Sequence, residues 1–134
     1  MDNIILTPLK QITHPKGNVF HAMKKSDDGY DGFGEAYFTT VYENDVKGWK
    51  KHNKMTLNLV VPVGSVEFVI YDGVKFESIV LSQENYQRLT VKPGLWVAFC
   101  GRSDNLNLVL NLASIEHDPD ESDNLDIEEI HYAW

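Results

Sequence analysis

Lys47, Lys50, His52 and Lys54 crowd one short stretch of the chain, directly ahead of the apolar run from Thr56 to Val63. Removing a proton from a carbon beside a ketone needs a base that works near neutrality. It also needs a cation or hydrogen-bond donor for the enolate oxygen. Histidine titrates in that range, and a lysine desolvated beside other cations can be brought towards it. Alternate residues of an extended strand share a face, so Lys50, His52 and Lys54 are expected to point one way. The stretch therefore offers a proton-abstraction site with either Lys50 or His52 as base. The competing interpretation is a solvated, basic edge strand.

Other chemistries find less support. The five histidines, His14, His21, His52, His117 and His131, are spread along the chain, and none pairs with another at metal-binding spacing. In His52-Asn53-Lys54 the third residue is an amine that offers no lone pair when protonated, so no metal is expected. No glycine-rich run precedes a helix to cradle phosphate, and no Gly-x-Ser-x-Gly elbow presents a serine nucleophile. Cys100, the only cysteine, lies in the apolar run Trp96–Cys100. It reads as an inert, buried thiol of a reducing compartment.

The elements that must position these residues are short strands. At 134 residues, 43% of them hydrophobic, the chain has the size of one domain with a real core. Strands are predicted over Ile4 to Ile12, Asn18 to Met23, Phe33 to Tyr42, Thr56 to Val63, Ser65 to Tyr71, Val74 to Leu81, Leu95 to Cys100 and Leu106 to Ala113. Asp72-Gly73 marks a hairpin, and Lys92-Pro93-Gly94 a type II turn. Ser82 to Gln87 is the one place for a short helical turn, with Ser82 as its cap. Such a succession of short strands means a sandwich or barrel. The acidic segment after Asp118 closes on Ile130-His131-Tyr132-Ala133-Trp134, which is expected to pack on this core or on a second subunit. A net charge of −8 argues against a nucleic-acid partner. No apolar run is long enough to span a bilayer as a helix. The start, with Asp2 and no basic region before an apolar stretch, is unlike a secretory signal, so a cytoplasmic location is expected.

Three stretches resemble the dTDP-4-dehydrorhamnose 3,5-epimerase family, in the family's order. Phe33-Gly34-Glu35 is similar to its Phe-x-Glu, whose carboxylate helps to bind the nucleotide. Lys47-Gly48-Trp49-Lys50 resembles its Arg-Gly-Leu-His motif, and Val60 to Val66 the strand, glycine turn and strand that follow. Glu116 to Asp120 is similar to the segment around the family's catalytic tyrosine. The resemblance covers roughly residues 20 to 134 and implies an all-β, cupin-like antiparallel barrel (a jelly roll) formed as a single domain by residues 1–134. It also implies epimerisation at C3 or C5 of a nucleotide-linked 4-keto-6-deoxy sugar, in surface-polysaccharide sugar synthesis and without a cofactor. The related 3,4-ketoisomerases share this fold.

Carried onto this chain, the resemblance makes Lys50, His52 and His117 the catalytic candidates and Glu35, Lys47 and Lys54 the substrate-binding ones. Lys50 stands where the family has its histidine base. His117, or Glu116 beside it, stands near the family's tyrosine acid. The aspartate that orients the family's base has no counterpart up to Trp134. Two alternatives to an enzyme follow from these departures: a sugar-binding module without turnover, and a structural partner in a sugar-modifying complex. The family's dimers exchange an N-terminal strand, so Ile4 to Ile12 is expected to join a partner's sheet in a homodimer.

Overall fold

In the computed structural model, residues 1–134 form twelve strands and one 3-10 turn, Ile127–Glu129. The strands are β1 (Ile4–Pro8), β2 (Gln11–Ile12), β3 (Val19–Phe20), β4 (Glu35–Thr40), β5 (Val46–His52) and β6 (Leu57–Val63). They continue with β7 (Ser65–Tyr71), β8 (Phe76–Ser82), β9 (Gln87–Val91), β10 (Trp96–Gly101), β11 (Leu108–Ala113) and β12 (Ser122–Asn124). One five-stranded sheet runs β1-β9-β6-β11-β4 and a second runs β12-β5-β10-β7-β8, while β2 and β3 form a separate pair. All the strand pairs are antiparallel. Two such sheets facing each other around one core make the cupin-like jelly roll expected from the sequence.

Period-two alternation fills the space between the sheets. Val66, Phe68 and Ile70 of β7 meet Leu57, Leu59 and Val61 of β6 and Leu89 and Val91 of β9 there, all buried. The opposite faces are covered differently. On the second sheet, Trp49, Val69 and Ala98 lie under Ile130, with Leu125, Tyr132 and Trp134 packed against them. The aromatic terminus thus packs on the outside of the chain's own second sheet. On the first sheet, a polar layer of Asn58, Arg88 and Thr90 is sealed by the loop carrying Asp27 and Gly29.

Several local readings change. The first strand is divided: β1 ends at Pro8, which has no N–H to continue the ladder, and β2 begins afresh at Gln11. β1 pairs with β9 of its own chain, Ile4 opposite Val91. Ser82 caps a turn rather than a helix, its hydroxyl accepting from the Asn85 N–H at 3.3 Å. The turns at Gly73 (φ +99°) and Gly94 (φ +97°) lie where Asp-Gly and Pro-Gly predict them. Cys100 is buried, and that burial pushes its thiol up, as an inert strand cysteine requires. No helix is long and apolar enough to cross a membrane.

Candidate active site

A cavity of about 300 Å³ lies between the sheets, on the side where β4 and β12 are the edge strands. Its volume is at the lower end for small-molecule sites. One wall is β5, carrying Lys47, Lys50 and His52. The facing wall is built from β4 and β11, carrying Tyr37, Thr39 and Asn111. Leu57, Leu59, Phe68, Val97, Phe99 and Val109 supply an apolar floor, and no Asp or Glu is among the lining residues.

A bulge decides which cations enter. Lys50 stands opposite Val97 of β10 and Lys47 opposite Phe99, so Gly48 and Trp49 together face the single residue Ala98. That extra residue turns Lys47 to the same side as Lys50 and His52, although an unbroken alternation would send it outwards. Gly48 is needed for this approach: a Cβ there would meet Ala98 Cβ at 2.5 Å and Ala98 Cα at 2.8 Å. Trp49 takes the outer face, its Nε1–H donating to the Ile127 carbonyl at 3.2 Å.

His52 is buried at the end of β5, and its Nδ1 is bonded to Glu121 Oε1. The other carboxylate oxygen accepts from the backbone N–H groups of Asn53, Lys54 and Met55 at 3.2, 3.0 and 3.2 Å. Burial pushes the Glu121 carboxyl up, but the bonds from His52 and from the Lys54 and Met55 backbone outweigh it and hold it below the usual range. An ionised carboxylate only accepts, so His52 Nδ1 carries the proton of this bond, and Nε2 has no hydrogen-bond partner in the protein. This dyad, 69 residues apart in sequence, is assembled because Ser122 of β12 pairs with His52 and brings Glu121 over the end of β5.

Lys50 is half-buried and makes neither a hydrogen bond nor an ion pair within the protein. Lys47 lies nearer the mouth, its amine donating to Thr39 Oγ1 and the Thr40 carbonyl at 3.2 Å each, above the Phe99 ring. Across the cavity, Tyr37 OH accepts from Asn111 Nδ2 at 3.0 Å, which leaves its own O–H free to donate.

The face expected for Lys50, His52 and Lys54 is therefore Lys47, Lys50 and His52. β5 ends at His52, and Lys54 occupies the exposed turn beyond it, offering only its backbone N–H to Glu121. His117 is exposed on the loop after β11 and does not line the cavity. Glu35 opens β4 on the face of Tyr37 and Thr39 but stands outside the lining. Sequence reasoning missed Glu121, Tyr37 and Asn111. Glu121 is one acid in an acidic run, and no local pattern separates it from its solvated neighbours.

The profile of the family described as "FdtA: WxcM-like, C-terminal" matches residues 2–127. The chain belongs to this family. A similar structure to this FdtA-family chain is a dTDP sugar isomerase from Desulfovibrio desulfuricans G20. It is 32% identical with a TM-score of 0.93, and the match covers 99% of this chain and 91% of that one. The fold is shared with QdtA, a sugar 3,4-ketoisomerase from Thermoanaerobacterium thermosaccharolyticum solved with TDP, at 23% identity and TM-score 0.80 over 91% and 88% of the two chains. It is shared too with ChmJ, a 3'-monoepimerase from Streptomyces bikiniensis, at 13% identity and TM-score 0.85 over 98% and 75%. Among curated protein sequences no relative matches this FdtA-family chain.

Proposed function

We propose that this protein isomerises a dTDP-linked 4-keto-6-deoxy sugar by moving a proton on the carbon beside the ketone. One observation carries the reading: His52, anchored by Glu121, shares a cavity wall with the unpaired Lys50, above an apolar floor. The ketone already acidifies the neighbouring C–H bonds, so the protein needs only a base, a counter-charge and a dry setting, and no cofactor. The likeness to a dTDP sugar isomerase over nearly the whole chain supports the same substrate class. The apolar floor suits the sugar's C–H faces and 6-methyl group, and Lys47 at the mouth suits the diphosphate.

With the base and the cation on one wall, a proton taken from C3 returns most directly to C4, and as the C3 hydroxyl proton passes to the C4 oxygen the ketone moves to C3. A second reading, epimerisation at C3, is favoured by Tyr37. Its phenol projects from the opposite wall and can return the proton to the other face of the ring. The product belongs in deoxysugar synthesis for surface polysaccharides, and the working form is a homodimer.

The test is incubation with dTDP-4-keto-6-deoxyglucose in deuterium oxide, followed by proton NMR. Loss of the C3 signal with a new C3 ketone supports ketone transposition; loss with inverted C3 stereochemistry supports epimerisation. Retention of every carbon-bound proton, with dTDP still bound, leaves a nucleotide-sugar-binding protein without turnover.

A further inference from the structure

We infer that Lys50 takes part covalently: its amine condenses with the C4 ketone of the bound sugar, and the proton beside that carbon moves through the resulting iminium. The inference rests on the isomerase reading, and of the two products considered there it selects the C3 epimer.

Two lysines of one wall are held differently. Lys47 is anchored as an ammonium, donating to Thr39 Oγ1 and to the Thr40 carbonyl at 3.2 Å each, above the Phe99 ring. Lys50 is set deeper and is anchored by nothing, its amine making neither a hydrogen bond nor an ion pair within the protein. No Asp or Glu lines the cavity, and both oxygens of Glu121 are committed to His52 and to backbone N–H groups. The other ionisable groups in the space are Lys47, His52 and, on the facing wall, Tyr37. A lysine that forms a Schiff base must give up a proton and swing onto a carbon. Apolar surroundings and neighbouring cations favour this, and a clamping carboxylate opposes it. Lys50 has the first two and lacks the third. His52 stands two positions along the same strand, its α-carbon about 6.6 Å from that of Lys50. An acceptor for the amine's proton is therefore at hand.

The steps balance. The Lys50 ammonium passes a proton to His52 Nε2, and the freed lone pair attacks C4 while the carbonyl π pair moves onto oxygen. That oxygen takes one proton from the nitrogen and a second from His52, and leaves as water as the nitrogen lone pair closes the C=N bond. His52 Nε2 then takes the C3 proton. The C–H pair becomes the C3–C4 double bond, and the iminium π pair comes to rest on nitrogen. A proton returned to C3 by the Tyr37 phenol, from the opposite wall, inverts that carbon and restores the iminium. His52 reprotonates the phenolate, and water then releases the ketone and the Lys50 ammonium. A proton returned to C4 instead would leave the sugar on Lys50 as a 3-keto amine, which water does not release. Turnover through the iminium therefore epimerises C3 and does not move the ketone.

The wild type, Lys50→Arg and Lys50→Met are incubated with dTDP-4-keto-6-deoxyglucose and sodium cyanoborohydride, and the intact protein is weighed by mass spectrometry. Parallel samples in deuterium oxide, without the reductant, give the rate of C3 exchange. Circular dichroism and dTDP binding check each variant, and Lys50→Gln replaces Lys50→Met should that variant not fold. The wild type is expected to gain the mass of the sugar nucleotide less one oxygen atom, with peptide mapping placing the gain on Lys50. Arginine keeps the positive charge but stays protonated and forms no iminium. Lys50→Arg should therefore lose the adduct, and its C3 exchange should slow as much as that of Lys50→Met, by about 10²-fold or more. C3 exchange in the wild type with no adduct on Lys50 overturns the inference and leaves the isomerase reading standing. Exchange that survives in Lys50→Arg, or a 3-keto product released by the wild type, does the same. Absence of both adduct and exchange with every 4-keto sugar nucleotide tried removes the isomerase reading and the inference together.

Discussion

Two buried ionic networks belong to different sheets of this barrel, and only one of them has a free end. On the outer face of the first sheet, Arg88 is fully buried and each of its nitrogens is bonded. Nε donates to Asn58, Nη1 to the Ala22 carbonyl and Asp27, and Nη2 to Thr7. At the end of β5, Glu121 is equally closed, but His52 keeps one ring nitrogen unbonded beside a cavity. The first network pins a loop to a sheet. The second holds one atom ready for something that is not part of the protein. A buried charge with every partner filled reads as architecture, whereas one with a single open valence beside a cavity reads as chemistry.

The contrast is broken most severely at its closed end. Arg88→Met leaves Asp27 and Asn58 without their donor, so stability should fall by about 4 kcal/mol. Urea unfolding measures this, and turnover per folded molecule should stay unchanged. The open end should respond to acid. The Glu121 carboxyl is held below its ordinary value of 4.5, so its stabilising contribution is complete above that pH and is lost as pH falls through the folded-state value. Unfolding midpoints followed from pH 7 into the acid range should show that loss, and Glu121→Gln should flatten it while slowing C3 exchange about 10²-fold. Gly48→Ala should cost about 2 kcal/mol by forcing Ala98 away. It should reduce exchange beyond what its stability explains, because the bulge aims Lys47. Trp134→Ala, which removes an outer ring 6.1 Å from Trp49, should cost about 1 kcal/mol and leave exchange intact. His117→Ala should change neither stability by more than about 0.5 kcal/mol nor exchange at all, since its side chain is exposed outside the cavity.

These expectations show what was legible in the sequence. Alternation exposed the inner faces of β6 and β7, and the glycine turns fixed the hairpins, because both signals act over a few residues. β9 escaped notice because Arg88 and Thr90 make it look polar. Their side chains are buried under a loop from far earlier in the chain, which no local window contains. β12 was hidden in the acidic run for the same reason. The cationic wall was found, but its membership was not. Alternation counts residues one by one, and the bulge at Gly48 and Trp49 adds one, which brings Lys47 in, while Lys54 is lost because β5 stops at His52. Glu121 and Tyr37 join the site through pairings with β5 and β11 that only the tertiary fold supplies.

The strand that delivers Glu121 also gives the molecule an order of completion during synthesis. Both large sheets except the edge strand β12 are made from residues up to Ala113. A chain emerging from the ribosome can therefore close most of its barrel while His52 still lacks its carboxylate. The histidine acquires its fixed tautomer only once the segment beginning at Glu121 has emerged and zipped onto β5. Competence thus arrives after shape, and a truncated product ending before Glu121 would be a barrel without a poised base.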